Sequence, residues 1–257
     1  MNFAIVGDPV SHSRSPALHN AAFETLGLDA HFDFMHVVAK EFASVTRALR
    51  SGELDGVSVT MPHKRTAFDA VNDRSDTAAY TGAVNTIIVE GDRLVGHNTD
   101  VAGVSHALES SGVDADAPVL ILGAGGAAAA ALRAVDGGDV SISARDVTAA
   151  NELAARSEHA VGVVPWGEPV TLATVINATP LGMHGETLPP GIIERAGALV
   201  DMTYSSHHSP SIMVAISLGL PYADGITMLV GQAVEAFELF TGCSAPVATM
   251  EQAARSV

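Results

Sequence analysis

The residue with the clearest capacity for chemistry in this chain is a lysine. The chain has only two lysines, and Lys64 ends the run Gly56-Val-Ser-Val-Thr-Met-Pro-His-Lys64. Alternating apolar residues in this run predict a strand with one buried face, and Pro62 predicts its end. Lys64 would then lie at the carboxyl edge of a sheet, where α/β proteins bind ligands. An amine there could release and regain a proton, whereas a guanidinium stays protonated; a merely solvated lysine is the alternative.

Polar residues that suit a small anion with hydroxyl groups occur at the predicted ends of other elements. Ser13 and Ser15 precede the first helix, and their hydroxyls at its N-terminus would make a neutral site for a carboxylate. Asn85 and Asp100 follow predicted strands and would offer an amide and a carboxylate to substrate hydroxyls. Each has a structural alternative, since Ser15 and Asp100 are good helix caps and Asn85 is a common turn residue.

A nucleotide-binding pattern occupies the middle of the chain. The run Val119-Leu-Ile-Leu-Gly-Ala-Gly-Gly-Ala-Ala128 predicts a strand that leads directly into G-x-G-x-x-A and then into a helix. Gly123 allows the tight turn, Gly125 lets the backbone approach a pyrophosphate, and Ala128 is small enough for helix–strand packing. These features predict a dinucleotide site, and a glycine-rich turn that binds nothing is the alternative.

The next predicted strand ends beside two charged residues that favour different cofactors. Arg145 lies 22 residues beyond Gly123, where ribose recognition belongs. Its guanidinium would bind the 2′-phosphate of NADP through charge-assisted hydrogen bonds. Asp146 would repel that phosphate or accept a hydrogen bond from the 2′-hydroxyl of NAD. Because Arg145 is nearer the strand end, we expect NADP, with NAD as the alternative.

The elements that position these residues alternate between strand and helix. In the first part of the chain they are a strand at 3–6, helices at 16–26 and 41–50, a hairpin of 83–90 and 93–98, and a helix at 100–111. From Pro118 the pattern changes to a doubly wound parallel sheet. Its strands are predicted at 119–122, 140–143, 161–164, 174–177, 198–201 and 220–223, before a helix at 225–241.

This order of elements predicts an α/β protein with two domains. The first would be a substrate-binding catalytic domain of residues 1–100, joined by C-terminal helices at 225–257. The second would be a Rossmann-like dinucleotide-binding domain of residues 101–224, with a doubly wound parallel sheet.

Composition narrows the classes to which the chain can belong. Hydrophobic residues make up 47% of the sequence, as in a folded α/β protein, and no apolar run is long enough for a membrane span. The net charge of −16 argues against nucleic-acid or membrane partners. The single Cys243 and the lack of signal-peptide features lead us to expect a cytoplasmic protein. We expect no metal site, because the adjacent His207 and His208 face different ways.

Seven ordered motifs, which cover nearly the whole chain, resemble those of the shikimate dehydrogenase family. They are Gly7-Asp-Pro-Val-Ser-His-Ser-Arg-Ser-Pro16 with His19-Asn20, Val59-Thr-Met-Pro-His-Lys64, Gly82-Ala-Val-Asn-Thr86, Asn98-Thr-Asp-Val-Ala-Gly103, Gly123-Ala-Gly-Gly126, Asn177-Ala-Thr-Pro-Leu-Gly-Met183 and Met228-Leu-Val-Gly-Gln232. The resemblance implies reversible NADPH-dependent reduction of 3-dehydroshikimate to shikimate in aromatic amino-acid biosynthesis. It implies a small-molecule substrate, NADP as cofactor, and a monomer or homodimer.

The resemblance also assigns roles to individual residues. Lys64 and Asp100 would form the catalytic pair, in which Asp100 either orients the lysine or shares a proton with it. Substrate contacts would come from Ser13, Ser15, Thr60, Asn85, Asp100, Tyr204 and Gln232. Cofactor contacts would come from Gly123, Ala124, Gly125, Gly126, Ala127, Arg145, Asp146, Thr179, Met202, Gly225 and Met228.

Two stretches depart from the family pattern. The family usually has Asn-Arg-Thr where this chain has Ala144-Arg145-Asp146, so only the arginine supports NADP. The loop after Tyr204 reads Ser-Ser-His-His-Ser-Pro210, where the family tends to show Asn-Pro and then Thr-Pro. The contacts of that loop therefore cannot be transferred from the family.

Three other functions stay open at this stage. Asp146 motivates an NAD-dependent quinate/shikimate dehydrogenase. A methylenetetrahydrofolate dehydrogenase would share the two-domain plan and a catalytic lysine, but it has no reason to carry the two serines of the carboxylate site. A non-catalytic nucleotide or metabolite sensor would be expected to lose the pair formed by Lys64 and Asp100, and both are present.

Overall fold

A computed structural model describes residues 1–114, 116–135, 137–204 and 207–256 and divides the chain into two compact α/β units. The first unit contains Met1–Asp100 with Leu229–Val257, and the second contains Val101–Met228. Residues 225–228, which the sequence assigns to the C-terminal helices of the substrate domain, cluster with the second unit instead. The physical reason is that Met228 packs into the core of that unit, in one cluster with Val200 and Ala223.

A mixed sheet forms the centre of the first unit. Its strands are β1 (Asn2–Gly7), β2 (His31–His36), β3 (Gly56–Val59), β4 (Asp73–Arg74), β5 (Thr86–Glu90) and β6 (Arg93–His97). Their order is β2-β1-β3-β5-β6-β4. β1 is parallel to β2 and β3, whereas β5 is antiparallel to β3 and β6. The predicted hairpin is therefore present, and Gly91 adopts φ of 62° at its turn.

Helices connect the strands of this sheet. They are α1 (Ser15–Leu26), α2 (Ala43–Ser51), α3 (Lys64–Ala70) and α4 (Asp76–Thr81), and a 3-10 turn at Ala39–Glu41 precedes α2. The predicted stops of α1 and α2 are confirmed, because Gly27 and Gly52 adopt left-handed conformations there. The structural alternative for Ser15, that it only caps α1, is wrong. Ser15 is the first helical residue, and Arg14 occupies the cap position without a side-chain hydrogen bond.

The strand that leads to Lys64 is buried on both faces, so the prediction of one buried face is wrong. All four residues of β3 are buried. Val57 and Val59 belong to a core cluster that includes Val45 of α2. On the other face, a side chain at Gly56 would lie only 2.7 Å from the ring of Phe240. The strand is central in its sheet, and elements on both sides exclude water from it.

The second unit carries the predicted doubly wound sheet, with every strand pair parallel. Its strands are β7 (Val119–Leu122), β8 (Val140–Ser143), β9 (Val161–Val164), β10 (Thr174–Asn177), β11 (Ala198–Asp201) and β12 (Tyr222–Ala223). Their order is β12-β11-β10-β7-β8-β9. The first five have the predicted bounds, and β12 begins at Tyr222 instead of residue 220.

Alternate residues of this sheet fill two different cores. Ile121, Ile142 and Val200 pack in one cluster, whereas Leu120 and Leu199 pack in another. Both faces of the sheet are therefore covered, as the continuous apolar runs of its strands require. The register places the carboxyl ends of the neighbouring strands side by side at one edge.

The remaining helices are α5 (Asp100–Ser111), α6 (Gly126–Ala134), α7 (Val147–Ala154), α8 (Pro210–Leu218), α9 (Gly225–Thr241) and α10 (Val247–Arg255). The predicted bounds of α5 and α9 are confirmed. Both of these helices cross from one unit to the other: α5 changes unit after Asp100 and α9 after Met228. In the part of the chain described, no helix is long and apolar enough to cross a membrane.

His19 of α1 is an ionisable residue in an aromatic core. It is 1% exposed, and its ring stacks on that of Phe32 with 4.2 Å between ring centroids. The rings of Phe23 and Phe237 lie 6.2 Å away. Neither ring nitrogen of His19 has a hydrogen-bond partner among the described residues. Burial lowers the pKa of His19 from 6.5 to about 3, because a charged imidazole would lose its hydration there.

We expect His19 to make folding stability decrease with acidification below about pH 6.5. The folded chain keeps the imidazole neutral down to about pH 3, whereas the unfolded chain takes up a proton below the ordinary pKa, so acid favours unfolding. The loss should be about 1.4 kcal/mol per pH unit within that window. Unfolding free energies in denaturant, compared between wild type and His19→Phe, should differ by this slope. The control is His31→Gln at a side chain that is 68% exposed, and a wild-type slope in His19→Phe would contradict the assignment.

Candidate active site

Lys64 and Asp100 form an ion pair in the first unit. Lys64 is the first residue of α3 and Asp100 the first residue of α5. The Nζ atom of Lys64 lies 2.5 Å from Oδ2 of Asp100. The Asp100 side chain is 10% exposed and the Lys64 side chain 31% exposed. The pair is thus sheltered from solvent, while the amine stays accessible to a small molecule.

Hydrogen bonds from neighbouring segments fix the turn that carries Lys64. The backbone N–H of Thr60, directly after β3, donates to the carbonyl of Val6 at 2.8 Å. The N–H of His63 then closes the turn onto the Thr60 carbonyl at 2.9 Å. The buried His63 ring lies 2.5 Å from the carbonyl oxygen of Val37 through Nε2, so this nitrogen carries the proton. These contacts hold the start of α3, and with it the base of the lysine side chain, in one position.

Asn85 holds the carboxylate of Asp100 from the other side. Its Nδ2 atom donates to Oδ1 of Asp100 at 2.9 Å and to the Thr99 hydroxyl at 3.0 Å. Its Oδ1 atom accepts from the Thr99 N–H at 2.8 Å. Gln232 of α9 completes the cluster, with Oε1 3.4 Å from Nδ2 of Asn85. The structure therefore brings four predicted site residues into direct contact: Lys64, Asp100, Asn85 and Gln232.

The described hydrogen bonds engage the carboxylate of Asp100 in the site and not in capping α5. Both carboxylate oxygens of Asp100 accept hydrogen bonds from other site residues, Lys64 and Asn85. The Asn98 side chain instead accepts the first N–H of α5, at 3.1 Å. A lysine paired in this way can donate a proton to an oxygen in its reach and later recover it. The chemistry that fits the cluster is proton transfer to or from a hydroxyl or carbonyl group.

Ser13, Ser15 and Thr60 lie in the same unit as this cluster. The hydroxyl of Ser13 donates to that of Ser15 at 3.2 Å, and it accepts the backbone N–H of Ser15 at 3.3 Å. Ser13 is 9% exposed and Ser15 1% exposed. Thr60 follows β3 and is packed closely, since a side chain at Gly7 would lie 2.5 Å from its methyl group. The two serines present neighbouring hydroxyls at the start of α1, as a carboxylate site requires.

The glycine-rich turn borders a cavity of about 400 Å³ in the second unit. Gly123 adopts φ of 109°, and a side chain there would lie 3.1 Å from the Ala178 carbonyl, so this turn needs glycine. A side chain at Gly125 would meet no protein atom within 4 Å. The space outside Gly125 is thus open for a ligand to approach the backbone. The cavity is lined by Gly123, Ala124, Gly125, Ala144, Arg145, Asp146, Ala149, Trp166, Ala178, Thr179, Pro180 and Leu181.

Arg145 and Asp146 both line this cavity, but they are differently engaged. The Asp146 side chain caps α7 and accepts the N–H of Ala149 at 3.0 Å. Arg145 is exposed and makes no ion pair or hydrogen bond with any residue in the described part of the chain. The carboxylate of Asp146 is therefore engaged in capping α7, while the guanidinium of Arg145 is available to an anion in the cavity. These features fit a dinucleotide with a charged group beyond its pyrophosphate.

The other predicted cofactor residues also belong to the second unit. Thr179 lines the cavity and donates its hydroxyl to Oδ1 of Asn177 at 2.7 Å. Gly126 and Ala127 begin α6. Met202, Gly225 and Met228 lie beyond the ends of β11 and β12 and, of the residues described, they do not line this cavity. Gly225 packs closely against Thr203, because a side chain at residue 225 would clash with the Thr203 carbonyl.

Tyr204 belongs to the second unit, whereas the other predicted substrate residues belong to the first. It follows β11 and is partly buried. Two residues of the loop after it, Ser205 and Ser206, lie outside the described residues. No group of three or more His, Cys, Asp or Glu side chains in the described ranges could hold a metal ion.

Sequence reasoning missed two residues of the second unit, Asp201 and Trp166. Asp201 ends β11, is fully buried, and accepts from Nδ2 of Asn177 at 2.9 Å and from the Ser209 hydroxyl at 2.5 Å. Trp166, the only tryptophan of the chain, lines the cavity itself. The signal for Asp201 was a charged residue at the end of an otherwise apolar strand, and the signal for Trp166 was a large aromatic residue just after one.

The fold and these sites define a class: an α/β protein with a dinucleotide-binding unit and a lysine–aspartate pair suited to proton transfer. Comparison with known families narrows the class. The profile described as "Shikimate dehydrogenase substrate binding domain" matches residues 5–87. The profile described as "Shikimate 5'-dehydrogenase C-terminal domain" matches residues 225–255.

Individual relatives match over nearly the whole chain. A "Shikimate dehydrogenase (NADP(+))" from Halobacterium salinarum is 38% identical, over 99% of this chain and 98% of the relative. A protein of the same name from Natronomonas pharaonis is 36% identical, with the same coverage. The crystal structure of shikimate 5-dehydrogenase from Thermus thermophilus in complex with NADP(H) and shikimate has a TM-score of 0.92 and 33% identity, over 100% of this chain and 99% of that one. This chain belongs to the shikimate dehydrogenase family, which confirms the resemblance found in its motifs.

Proposed function

We propose that this chain is an NADP-dependent shikimate dehydrogenase, an oxidoreductase that reversibly reduces 3-dehydroshikimate to shikimate in aromatic amino-acid biosynthesis. The observation that carries the proposal is the 2.5 Å pair of Lys64 and Asp100, held by Asn85. Relatives named as NADP-dependent shikimate dehydrogenases, which match over nearly the whole chain, support the substrate and the cofactor.

Lys64 moves the proton in this reaction. In the reductive direction, the carbonyl oxygen of the substrate gains negative charge as its carbon receives a hydride, and the Lys64 ammonium donates a proton to that oxygen. In the oxidative direction, the neutral amine accepts the hydroxyl proton. NADPH supplies the hydride when it is bound. Asp100 orients the lysine through its 2.5 Å contact, and Asn85 in turn fixes Asp100.

The substrate is held by the remaining polar residues of the first unit. The paired hydroxyls of Ser13 and Ser15 bind the carboxylate of shikimate, which lets a strongly acidic chain accept an anion without a fixed positive charge. The ring hydroxyls contact Thr60, Asn85, Asp100 and Gln232. Tyr204 is a further substrate contact in this proposal. The enzyme needs no nucleic-acid or membrane partner, and we place it in the cytoplasm as a monomer or homodimer.

The cofactor is held by the cavity of the second unit. The backbone of Gly123, Ala124, Gly125 and Gly126, with Ala127 at the start of α6, binds the pyrophosphate at the helix N-terminus. Thr179, Met202, Gly225 and Met228 complete the contacts along the same sheet edge, and Arg145 and Asp146 face the adenosine ribose. The open space outside Gly125 supports this placement, and so does the guanidinium of Arg145, which has no ion pair or hydrogen bond among the described residues.

We expect Arg145→Ala to weaken NADP binding by about 1.5–3 kcal/mol, because charge-assisted hydrogen bonds to the 2′-phosphate are lost. NAD, which lacks that phosphate, should bind nearly as before. Isothermal titration calorimetry with both cofactors measures this difference. Arg195→Ala is the matched control, since Arg195 is an exposed arginine of the same unit that does not line the cavity. Equal losses for NADP and NAD would show that Arg145 supports the fold instead.

The experiment that tests the proposed function compares initial rates of cofactor reduction with shikimate and quinate, each with NADP and with NAD. The proposal expects shikimate with NADP to give the dominant rate. A dominant rate with quinate and NAD would favour the quinate/shikimate dehydrogenase that Asp146 suggested. Measurable cofactor binding without any of the four rates would favour a sensor.

A further inference from the structure

We propose that Trp166 forms the aromatic wall of the cofactor cavity and stacks on the adenine ring of the bound dinucleotide. The inference rests on the proposed NADP-dependent function and adds the residue that recognises the base. Trp166 belongs to none of the motifs that carry the family resemblance.

The register of the parallel sheet places three loops in a row at one edge. Leu122 of β7 is the register partner of Ser143 of β8, and Ser143 is the register partner of Val164 of β9. The three strands therefore end side by side, each at its carboxyl end. The segments that follow carry, in this order, the glycine-rich turn, Arg145 and Trp166.

This order matches the order of chemical groups along the adenosine half of the cofactor. The glycine-rich turn binds the pyrophosphate, and the next strand end binds the ribose and its phosphate. The third strand end lies one strand further in the same direction, where the base must extend. Trp166 stands two residues beyond the last residue of β9 and lines the same cavity as Gly123 and Arg145.

Ser143 fixes Trp166 at this place. The buried hydroxyl of Ser143 donates to the Pro165 carbonyl at 3.0 Å and accepts the Gly167 N–H at 3.2 Å. One side chain therefore ties down the residue before Trp166 and the residue after it. The indole also packs against the apolar cluster that contains Leu122. Its position is thus set before a ligand arrives, which lowers the entropic cost of stacking.

The chemistry of the cavity suits an adenine ring. A partly buried indole offers a flat π surface, and base–aromatic stacking is a strong contact that needs no hydrogen bonds. The guanidinium of Arg145 in the same cavity is also planar and stacks readily on aromatic rings. A cavity of about 400 Å³ with these two planar groups favours a flat heterocycle over an aliphatic ligand.

The test compares Trp166→Leu, which keeps an apolar side chain for packing but has no π surface, with Trp166→Phe, which keeps a π surface. Calorimetry measures the affinity for NADP and for adenosine 2′,5′-bisphosphate, which carries the adenine and the 2′-phosphate without nicotinamide. Trp166→Leu should lower the affinity for both ligands by the same factor, about 5- to 100-fold. Trp166→Phe should stay within about threefold of wild type, since most of the stacking surface remains.

Met213→Ala is the control, because Met213 is 56% exposed on α8 of the same unit and does not line the cavity. Wild-type affinity of a natively folded Trp166→Leu for both ligands would overturn the inference. If that variant fails to fold, the fluorescence of Trp166 in the wild-type protein tests the inference instead, since it is the only tryptophan. Adding adenosine 2′,5′-bisphosphate should change the fluorescence emission of Trp166, and adding nicotinamide mononucleotide should not. Unchanged emission with adenosine 2′,5′-bisphosphate would overturn the stacking inference. Failure of wild type to bind either NADP or the bisphosphate would refute the proposed function itself.

Discussion

Lys64→Ala should lower the turnover number by about 10²–10⁴-fold, as for the loss of a general acid or base. The physical reason is that the substrate oxygen would have to exchange its proton with water in a sheltered site. NADP affinity should stay nearly unchanged, because the cofactor cavity is lined by residues of the second unit. Steady-state rates with shikimate and NADP, together with calorimetric titration of NADP, measure the two quantities separately.

The chain offers a matched control for this experiment. Lys40 is the only other lysine and is exposed in the 3-10 turn before α2. Lys40→Ala removes the same charge and should leave turnover at the wild-type level. Lys64→Arg should remain strongly impaired, because arginine can pair with Asp100 but cannot act as a neutral amine. An unchanged turnover number in a folded Lys64→Ala protein would remove Lys64 from the mechanism.

Asp201→Ala should lower the free energy of unfolding by about 3 kcal/mol or more. Asp201 is fully buried at the end of β11. Its carboxylate accepts from Asn177 at 2.9 Å, from the Thr203 hydroxyl at 2.8 Å and N–H at 3.1 Å, and from Ser209 at 2.5 Å. Removing it leaves several buried donors without an acceptor, and each such group loses its hydration without compensation. Denaturant unfolding of the variant measures the loss.

Asp201→Ala should also weaken NADP binding. Asn177 positions Thr179 by accepting its hydroxyl at 2.7 Å, and Thr179 lines the cofactor cavity. A loosened Asn177 would therefore disturb one wall of that cavity. Asp139→Ala, at an exposed aspartate just before β8, is the matched control and should change neither quantity. Wild-type stability in Asp201→Ala would mean that water can replace the carboxylate.

The sequence predicted the parallel sheet well, for a physical reason. A strand that is buried on both faces is apolar along most of its length, so a run such as Val119–Leu122 stands out against its surroundings. β2 lacked that signal, because it is an edge strand with mostly exposed residues in the sequence His-Phe-Asp-Phe-Met-His. β4 was too short to predict, with two residues.

The candidate site was only partly predictable. Lys64, Asp100, Asn85 and Gln232 came from motifs, but their contacts join residues up to 147 positions apart, which no local pattern specifies. The capping alternative for Ser15 was wrong because Ser15 is the first helical residue, and its N–H donates to the hydroxyl of Ser13, two residues earlier. The roles inferred for Trp166 and Asp201 follow from strand register and from burial, and both of these depend on the assembled sheet.

The two places where the chain changes unit have a practical consequence for protein engineering. α5 begins at Asp100 in the first unit and continues in the second, and α9 returns to the first unit at Leu229, shortly before Gln232. A chimera with a nucleotide unit from a relative, if joined at these borders, would place both splice points inside helices that carry site residues. Splice points after Gly112, which ends α5, and at Asp224, which precedes α9, would leave both helices in one parent. Exchange of residues 113–224 is therefore the cut that preserves Asp100 and Gln232 in their native helices.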